Sequence, residues 1–317
     1  MAAAIPWHEE PWERIQRAWT AERMPLALLL EGPVGLGKLE FARRTAALVL
    51  GAAHGPGGPP GDWQHPDLRE TTPAEGKRQI AVDQIRALCA ELFMTAHSGG
   101  YKVALIHPAD SMNTHAANSL LKTLEEPTDR TLLILVRARL DTLPATIASR
   151  CQRIRFAVPE EQRALAWLTE LDGSRDWRRL LAMAGGAPLK ALTLAAEGME
   201  ETDRTFRQDL ATLLKGEESA VQVAARWQKQ PLDVTLSWLA IFVSGLIRAA
   251  CRGDAETAGD LQIFQQNIRL DSLFGYLDEV QAAIARVGTA LSPQLVLEGL
   301  LIPWSHRLDE LSQGGRH

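Results

Sequence analysis

The segment Gly32-Pro-Val-Gly35-Leu-Gly37-Lys38 has the residue types and spacing of a phosphate-binding loop. Gly32 and Gly37 lie five positions apart, and a lysine follows the second glycine directly. In such a loop the backbone N–H groups surround the phosphates of a nucleotide, and the lysine places a positive charge beside the outer ones. The candidate phosphate-binding residues are therefore Gly32, Gly35, Gly37 and Lys38.

The residues that would bind magnesium beside this loop are missing. Leu39 follows the lysine, where a serine or threonine hydroxyl would contact Mg²⁺. The apolar run Lys102–Ile106 is followed by His107-Pro108, whereas a nucleotide hydrolase has an Asp-Glu pair there that holds Mg²⁺ and positions the attacking water. The nearest carboxylate, Asp110, lies beyond the proline. The sequence predicts a loop that does not hydrolyse nucleotide and leaves residual ATP binding open.

Short apolar runs alternate with helical stretches in the part of the chain that positions this loop. The runs 26–30, 103–106 and 132–136 lack polar alternation, which is typical of strands buried on both faces of a parallel sheet. Helices are predicted over 38–50 and from about 114 to 126. This alternation predicts an α/β domain in which the loop joins the first strand to a helix. The Gly/Pro-rich segment beginning at Gly51 can only be a loop.

After Phe156 the pattern becomes helical and no strand is predicted. We expect an α/β domain over 1–158, a small helical domain over 159–200 and an all-α domain over 201–317. The most apolar stretch, 236–247, has 12 residues where a bilayer needs about 20, which favours a buried helix. Trp7, Trp12 and Trp19 are predicted to pack an N-terminal helix. The N-terminus lacks the basic and apolar segments of a signal peptide, so a soluble, cytoplasmic chain is expected.

Composition narrows the classes of function further. Apolar residues make up 46% and charged residues 23% of the chain, which supports a folded core. A formal charge of −5 argues against a protein that binds nucleic acid over its whole surface. The three cysteines, Cys89, Cys151 and Cys251, are too far apart in sequence for a Cys-x-x-Cys pair, so neither a disulfide framework nor zinc is expected.

Several motifs carry a resemblance to a known family. Residues 116–127 contain Leu-Leu-Lys-Thr-Leu-Glu-Glu-Pro, and Ser149-Arg150-Cys151 follows after the third apolar run. His65-Pro-Asp67 and the segment 80–86 precede them in matching order. Together these residues resemble the clamp-loader branch of the AAA+ ATPases over the whole first domain. The resemblance implies an AAA+ domain with a phosphate loop, a small helical lid domain and a helical collar domain that joins subunits into a ring.

The chain resembles the subunit type of the bacterial DNA polymerase III clamp loader that does not hydrolyse ATP. Leu189 stands where the motor subunits, gamma and tau, carry a lid arginine, which is a third departure beside Leu39 and His107-Pro108. The resemblance implies that the partners are the gamma/tau and delta subunits, the beta sliding clamp through the complex, and primed DNA indirectly. No membrane is implied. No catalysis is expected from the isolated chain, although it would be a component of a DNA-directed DNA polymerase holoenzyme.

Arg150 is the candidate catalytic residue. The resemblance implies that it is an arginine finger, which stabilises charge on the phosphoryl group of ATP held by a neighbouring subunit. On its own the residue would be one solvated arginine in a basic run that could touch DNA phosphates. That run consists of Arg137, Arg139, Arg150, Arg153 and Arg155. The Ser-Arg-Cys context favours the finger.

Three alternatives stay open at this stage. The first is an active ATPase subunit of the gamma/tau type. The second is a P-loop phosphotransferase such as a small-molecule kinase, for which the sequence shows neither a magnesium-binding carboxylate nor a substrate pocket. The third is a scaffold outside replication that has no enzymatic role.

Overall fold

The computed structural model describes residues 4–51, 65–97, 99–126, 128–138, 143–252, 264, 268–287 and 292–306. Most of the Gly/Pro-rich loop and Arg139 lie outside these residues. The chain forms two compact units. The first extends to Trp177 and includes Gly186–Ala191, and the second comprises Arg178–Gly185 and the chain from Leu192 onward. The division into 1–158, 159–200 and 201–317 stays a prediction.

The first unit contains a five-stranded parallel sheet with the order β2-β3-β4-β1-β5. The strands are β1 Ala27–Glu31, β2 Leu68–Thr71, β3 Lys102–Ile106, β4 Thr131–Arg137 and β5 Gln152–Arg155. Every residue of β1 and β4 is buried, as the uniformly apolar runs predict. The parallel α/β fold is therefore confirmed. The two outer strands, β2 and β5, were not predicted.

Helices cover both faces of this sheet. They are α1 Glu9–Thr20, α2 Lys38–Val49, α3 Val82–Phe93, α4 Thr114–Glu125 and α5 Ala145–Ala148, and a sixth helix, α6 Glu161–Leu171, follows β5. Because strand side chains alternate between the two faces, neighbouring leucines belong to different cores. Leu28 and Ile134 pack with α1 and α2, whereas Leu29 and Leu133 pack with α3 and α4. Two further helices, α7 Trp177–Met183 and α8 Pro188–Ala196, are divided between the two units.

The parallel sheet places the carboxyl ends of its strands along one edge. Ligands of open α/β sheets bind at this edge, where the loops after the strands meet. In the sheet, β4 lies between β1 and β3. At the ends of these strands Glu31 is opposite Arg137, and Ile106 is opposite Leu135. The phosphate loop after β1 and His107 after β3 therefore share the same edge.

The described part of the second unit is helical throughout, as predicted after Phe156. Its longer helices are α9 Met199–Lys215, α10 Ala220–Trp227, α11 Leu232–Arg252, α12 Leu270–Ala285 and α13 Pro293–Ser305. Aromatic rings form much of its core: Phe206 stacks on Trp227 with ring centroids 4.2 Å apart, and Trp238 stacks on Phe242 at 5.0 Å. The buried carboxylate of Asp203 accepts a hydrogen bond from the Trp238 indole at 2.9 Å, so this core has a satisfied polar centre.

The apolar helix α11 is longer than the sequence predicts. Its segment Leu232–Cys251 has 20 residues and a mean hydropathy of 1.7, which by length and composition alone would suffice to cross a membrane. The estimate of 12 residues, and the argument from length that depended on it, are therefore wrong. Half of this segment is buried in the unit, and Leu236, Leu239 and Val243 are fully buried.

Candidate functional site

The phosphate loop joins β1 to α2, and glycine is required at its turns. Gly32, Gly35 and Gly37 have φ values of +145°, +84° and +82°, which other residues adopt only with strain. A Cβ atom at Gly32 would lie 2.2 Å from the carbonyl oxygen of Phe156. Gly37 immediately precedes α2, which begins at Lys38. The strand, loop and helix therefore follow each other as the spacing predicts.

The lysine of the loop is turned back onto the loop itself. Lys38 is only 6% exposed, and its Nζ donates a hydrogen bond to the Pro33 carbonyl oxygen at 2.5 Å. Burial lowers the pKa of Lys38 to about 8, although the nearby carboxylates of Asp110 and Glu40 oppose this change. In this arrangement the ammonium group that would contact the outer phosphates of a nucleotide is held by a carbonyl of its own loop.

A second carbonyl of the loop is held by the N-terminal segment. Trp7 and His8 lie in a short 3-10 turn, Pro6–His8, and both contact the Leu36 carbonyl oxygen: Trp7 Nε1 donates to it at 2.9 Å, and His8 Nε2 lies at 2.7 Å. Burial lowers the pKa of His8 to about 4, so its ring is neutral at pH 7 and Nε2–H is the donor. The His8 ring also meets Phe41 edge-on, with centroids 5.5 Å apart.

The first residues of α8 also pack against the phosphate loop. The N–H of Leu189 donates to the Gly35 carbonyl oxygen at 3.0 Å. A Cβ atom at Gly35 would lie 2.5 Å from Cβ of Lys190, so the two backbones pack directly against each other. Leu189, the residue at the lid-arginine position, is thus beside the phosphate loop. It brings an apolar side chain there and no charge.

His107 occupies the position at which a nucleotide hydrolase needs a magnesium-binding carboxylate. His107 follows β3, and its pKa is lowered by burial and by the positive charge of Lys38. Its Nδ1 atom is buried and has no hydrogen-bond partner among the described residues. A neutral imidazole is a poor ligand for Mg²⁺, which prefers oxygen. Within the described ranges no three His, Cys, Asp or Glu side chains come together to form a metal site.

Asp110 lies closer to the loop than the sequence suggested. Although it follows Pro108, a short 3-10 turn, Ala109–Ser111, returns its carboxylate to the sheet edge, where its charge opposes the lowering of the Lys38 pKa by burial. The Ala138 N–H, just beyond β4, donates to Asp110 Oδ1 at 3.4 Å. Sequence spacing could not reveal this proximity, because the turn sets it. Asp110 is one carboxylate with existing contacts and does not replace the missing Asp-Glu pair.

Two arginines of the basic run, Arg137 and Arg155, contact the same buried carboxylate. The buried carboxylate of Glu31 accepts hydrogen bonds from Arg137 Nη2 at 2.5 Å and from Arg155 Nε at 2.8 Å. Burial alone would raise the pKa of Glu31, but these two guanidinium groups outweigh it and hold the pKa below its ordinary value. Arg137 is only 5% exposed. Two of the five arginines therefore stabilise the sheet edge.

Arg150 lies at the end of a different segment. It follows α5 and Ser149, and its side chain is 37% exposed. Nη1 donates to the Thr146 carbonyl oxygen at 3.0 Å, and Nη2 lies 2.7 Å from Glu125 Oε1 at the end of α4. No hydrogen bond or ion pair among the described residues joins Arg150 to the phosphate loop of its own chain. The neighbouring Cys151 is buried, which raises the pKa of its thiol to about 11 and leaves it unreactive.

Comparison with known proteins decides the family. A family model described as "DNA polymerase III, delta subunit" matches residues 7–160. The DNA polymerase III subunit delta' of Pseudomonas aeruginosa is 34% identical over 272 residues, which cover 82% of each chain. The protein of the same name from Escherichia coli is 28% identical over 322 residues, which cover 96% of each chain. The chain belongs to the delta' family of DNA polymerase III. This membership confirms the resemblance to the clamp-loader AAA+ proteins.

A solved structure agrees at the level of the fold. The gamma subunit-related protein of DNA polymerase III from Thermotoga maritima superposes with a TM-score of 0.50 at 18% identity, covering 93% of this chain and 99% of that one. At this identity the similarity concerns the fold alone. The delta' assignment nevertheless favours a clamp-loader role over a small-molecule kinase or a scaffold outside replication.

Proposed function

We propose that this delta' chain is a clamp-loader subunit that does not hydrolyse ATP and instead presents Arg150 to ATP on a neighbouring subunit. The absence of ATP hydrolysis is supported by the phosphate loop, whose polar groups bond to other groups of the same chain; we call this the closed loop. Lys38 is bonded to Pro33 of the loop, and the Leu36 carbonyl is bonded to Trp7 and His8. A nucleotide would have to displace contacts of the chain with itself before its phosphates could enter.

Hydrolysis would fail even if a nucleotide entered the loop. Leu39 offers no hydroxyl to Mg²⁺. His107-Pro108 replaces the Asp that would hold the metal and the Glu that would position the attacking water. Leu189 provides no lid charge to stabilise the transferred phosphoryl group. Because these three positions lie in separate segments, no single substitution would restore the reaction. The chain requires no cofactor in this proposal, and neither bound zinc nor more than residual ATP binding is expected.

The second half of the proposal concerns Arg150. Its guanidinium is partly exposed, and no described contact links it to the loop of its own chain. Such a group is available to another subunit, where it would stabilise the charge that develops on a transferred phosphoryl group. The proposed partners are the gamma/tau and delta subunits, with the beta clamp engaged through the complex and primed DNA indirectly. Residues 159–200 would form the lid and 201–317 the collar of this cytoplasmic assembly.

The experiment is ATP hydrolysis by the reconstituted clamp loader in the presence of clamp and primed DNA. Arg150→Ala should leave assembly intact and lower hydrolysis at the served site by roughly 10³-fold or more, since arginine fingers are worth about 10³–10⁵ in rate. The whole complex should lose less, because other subunits supply other sites. Arg150→Lys should be nearly as damaging, because an ammonium group cannot reproduce the planar fork of donors.

Arg153 is the matched control, because it is an exposed arginine in the same run whose Nε contacts only the Ala148 carbonyl oxygen in the described structure. Arg137 is unsuitable, since its removal would disturb the buried Glu31. If Arg150→Ala and Arg153→Ala reduce hydrolysis equally, and added salt reproduces the effect, Arg150 belongs to a phosphate-attracting edge and the finger assignment is wrong.

A further inference from the structure

Glu125 holds the proposed finger from within the same chain. It is the last residue of α4, and its Oε1 atom lies 2.7 Å from Arg150 Nη2. The Thr146 carbonyl oxygen accepts a hydrogen bond from Nη1 at 3.0 Å. The guanidinium of Arg150 is therefore fixed at both of its terminal nitrogens, once by a carboxylate and once by the backbone.

The contact connects two separate motifs. Glu125 belongs to the Leu-Leu-Lys-Thr-Leu-Glu-Glu-Pro segment, and Arg150 belongs to Ser-Arg-Cys. Glu126, the next carboxylate of the same motif, is also exposed, but it forms no ion pair with any described residue. Glu125 ends the helix and contacts Arg150, whereas the adjacent exposed Glu126 directly follows the helix and has no such contact.

We propose that Glu125 is a positioning residue that orients Arg150 for ATP on the neighbouring subunit, an inference that rests on the proposed function. A free arginine loses rotamer freedom when it binds a phosphate. Glu125 and Thr146 restrict the side chain before the neighbour arrives, so less freedom remains to be lost at the reaction. An arginine has five N–H donors, of which the Thr146 contact uses one, on Nη1, while Nη2 forms the ion pair with Glu125. The remaining donors stay available to a phosphate.

The ion pair with Glu125 is too weak to prevent Arg150 from binding a phosphate. Glu125 forms an ion pair with a single terminal nitrogen rather than a two-bond fork with the guanidinium, and its side chain is 50% exposed. Exposed ion pairs of this kind contribute little and are screened by salt. Glu125 can therefore bias the orientation of Arg150 while leaving the side chain free to bind a phosphate.

The test compares Glu125→Ala with Glu126→Ala in the reconstituted clamp loader, with clamp and primed DNA present. Glu125→Ala should lower kcat for ATP at the served site by about two- to five-fold, the range that corresponds to an exposed ion pair, with KM unchanged. Glu126→Ala should match the wild type. Glu125→Gln, which preserves size but removes charge, should fall between Glu125→Ala and the wild type. Chemical denaturation and gel filtration verify that each variant folds and assembles.

A double-mutant cycle separates positioning from a general structural effect. In the Arg150→Ala background, Glu125→Ala should have no further effect, because the residue that it orients is gone. Additive losses would overturn the proposal, as would equal effects of Glu125→Ala and Glu126→Ala when Arg150→Ala alone is damaging. A faster reaction in Glu125→Ala would show that Glu125 restrains the finger and would also overturn it. If Arg150→Ala itself has no effect, the proposed function fails first.

Discussion

His8 is a basic side chain that the fold holds neutral beside the phosphate loop. It is 4% exposed, and its ring nitrogen bonds the Leu36 carbonyl oxygen. The pKa of His8 is about 4 in the folded chain against an ordinary value of 6.5, so between these pH values the unfolded chain binds more protons than the folded one. The contribution of His8 to the free energy of unfolding is therefore fully present above pH 6.5 and is lost as the pH falls towards 4.

This linkage predicts a measurable change in the free energy of unfolding. The loss from His8 should reach roughly 3 kcal/mol between pH 6.5 and 4. His8→Gln should flatten this dependence, because an amide can donate to Leu36 without titrating. His115→Gln, a change at an exposed histidine, should retain the wild-type slope in the same denaturation series. Equal slopes for wild type and His8→Gln would contradict the burial argument.

Residue spacing could reveal only part of this site. The glycines, Lys38, Leu39 and His107-Pro108 stand out because their roles depend on local order along the chain. Trp7, predicted as a packing residue, also bonds the loop, and no sequence signal marks this contact. The contacts of His8 and Glu125 likewise join segments 28 and 25 positions apart, respectively, so they depend on tertiary folding.

At the scale of elements, burial decides which strands the sequence reveals. β1, β3 and β4 lie inside the sheet and are almost wholly apolar, so their runs predict them. β2 and β5 lie at its two edges and carry polar residues. In β2, for example, Glu70 accepts hydrogen bonds from Arg43 in a two-bond ion pair. Such strands lack the continuous apolar run that a buried strand requires, which is why they were not predicted.

The packing of α8 against the phosphate loop can be tested at Gly35. Gly35→Ala should destabilise the chain by more than Gly51→Ala, as measured by the midpoint of urea denaturation. Both glycines have positive φ, +84° and +67°, so both substitutions carry backbone strain of about 1–2 kcal/mol. At Gly35 the added Cβ would meet Lys190, whereas no described residue lies within 4 Å of a Cβ at Gly51. Equal losses would mean that α8 does not pack on the loop in solution.

At the scale of the whole molecule, an α/β unit and a helical unit make up one chain, and the family is that of delta' subunits of DNA polymerase III. The fold class and the family follow from sequence patterns because they depend on apolar periodicity and on long motifs. The division into two units also depends on contacts that are distant in sequence: Gly186–Ala191 belongs to the first unit although the residues on both sides belong to the second. Such a division depends on contacts rather than on local composition.

The proposed function requires that this chain has a phosphate loop but does not itself hydrolyse ATP. The most direct measurement is steady-state ATP turnover by the purified, isolated chain with Mg²⁺, compared with Lys38→Ala prepared in the same way. We expect no turnover above background for either protein, and no gain from Leu39→Thr alone. A wild-type rate near 1 per second, which is in the range of ordinary enzymes, and its loss in Lys38→Ala would contradict the account and identify the chain as an active ATPase of the gamma/tau type.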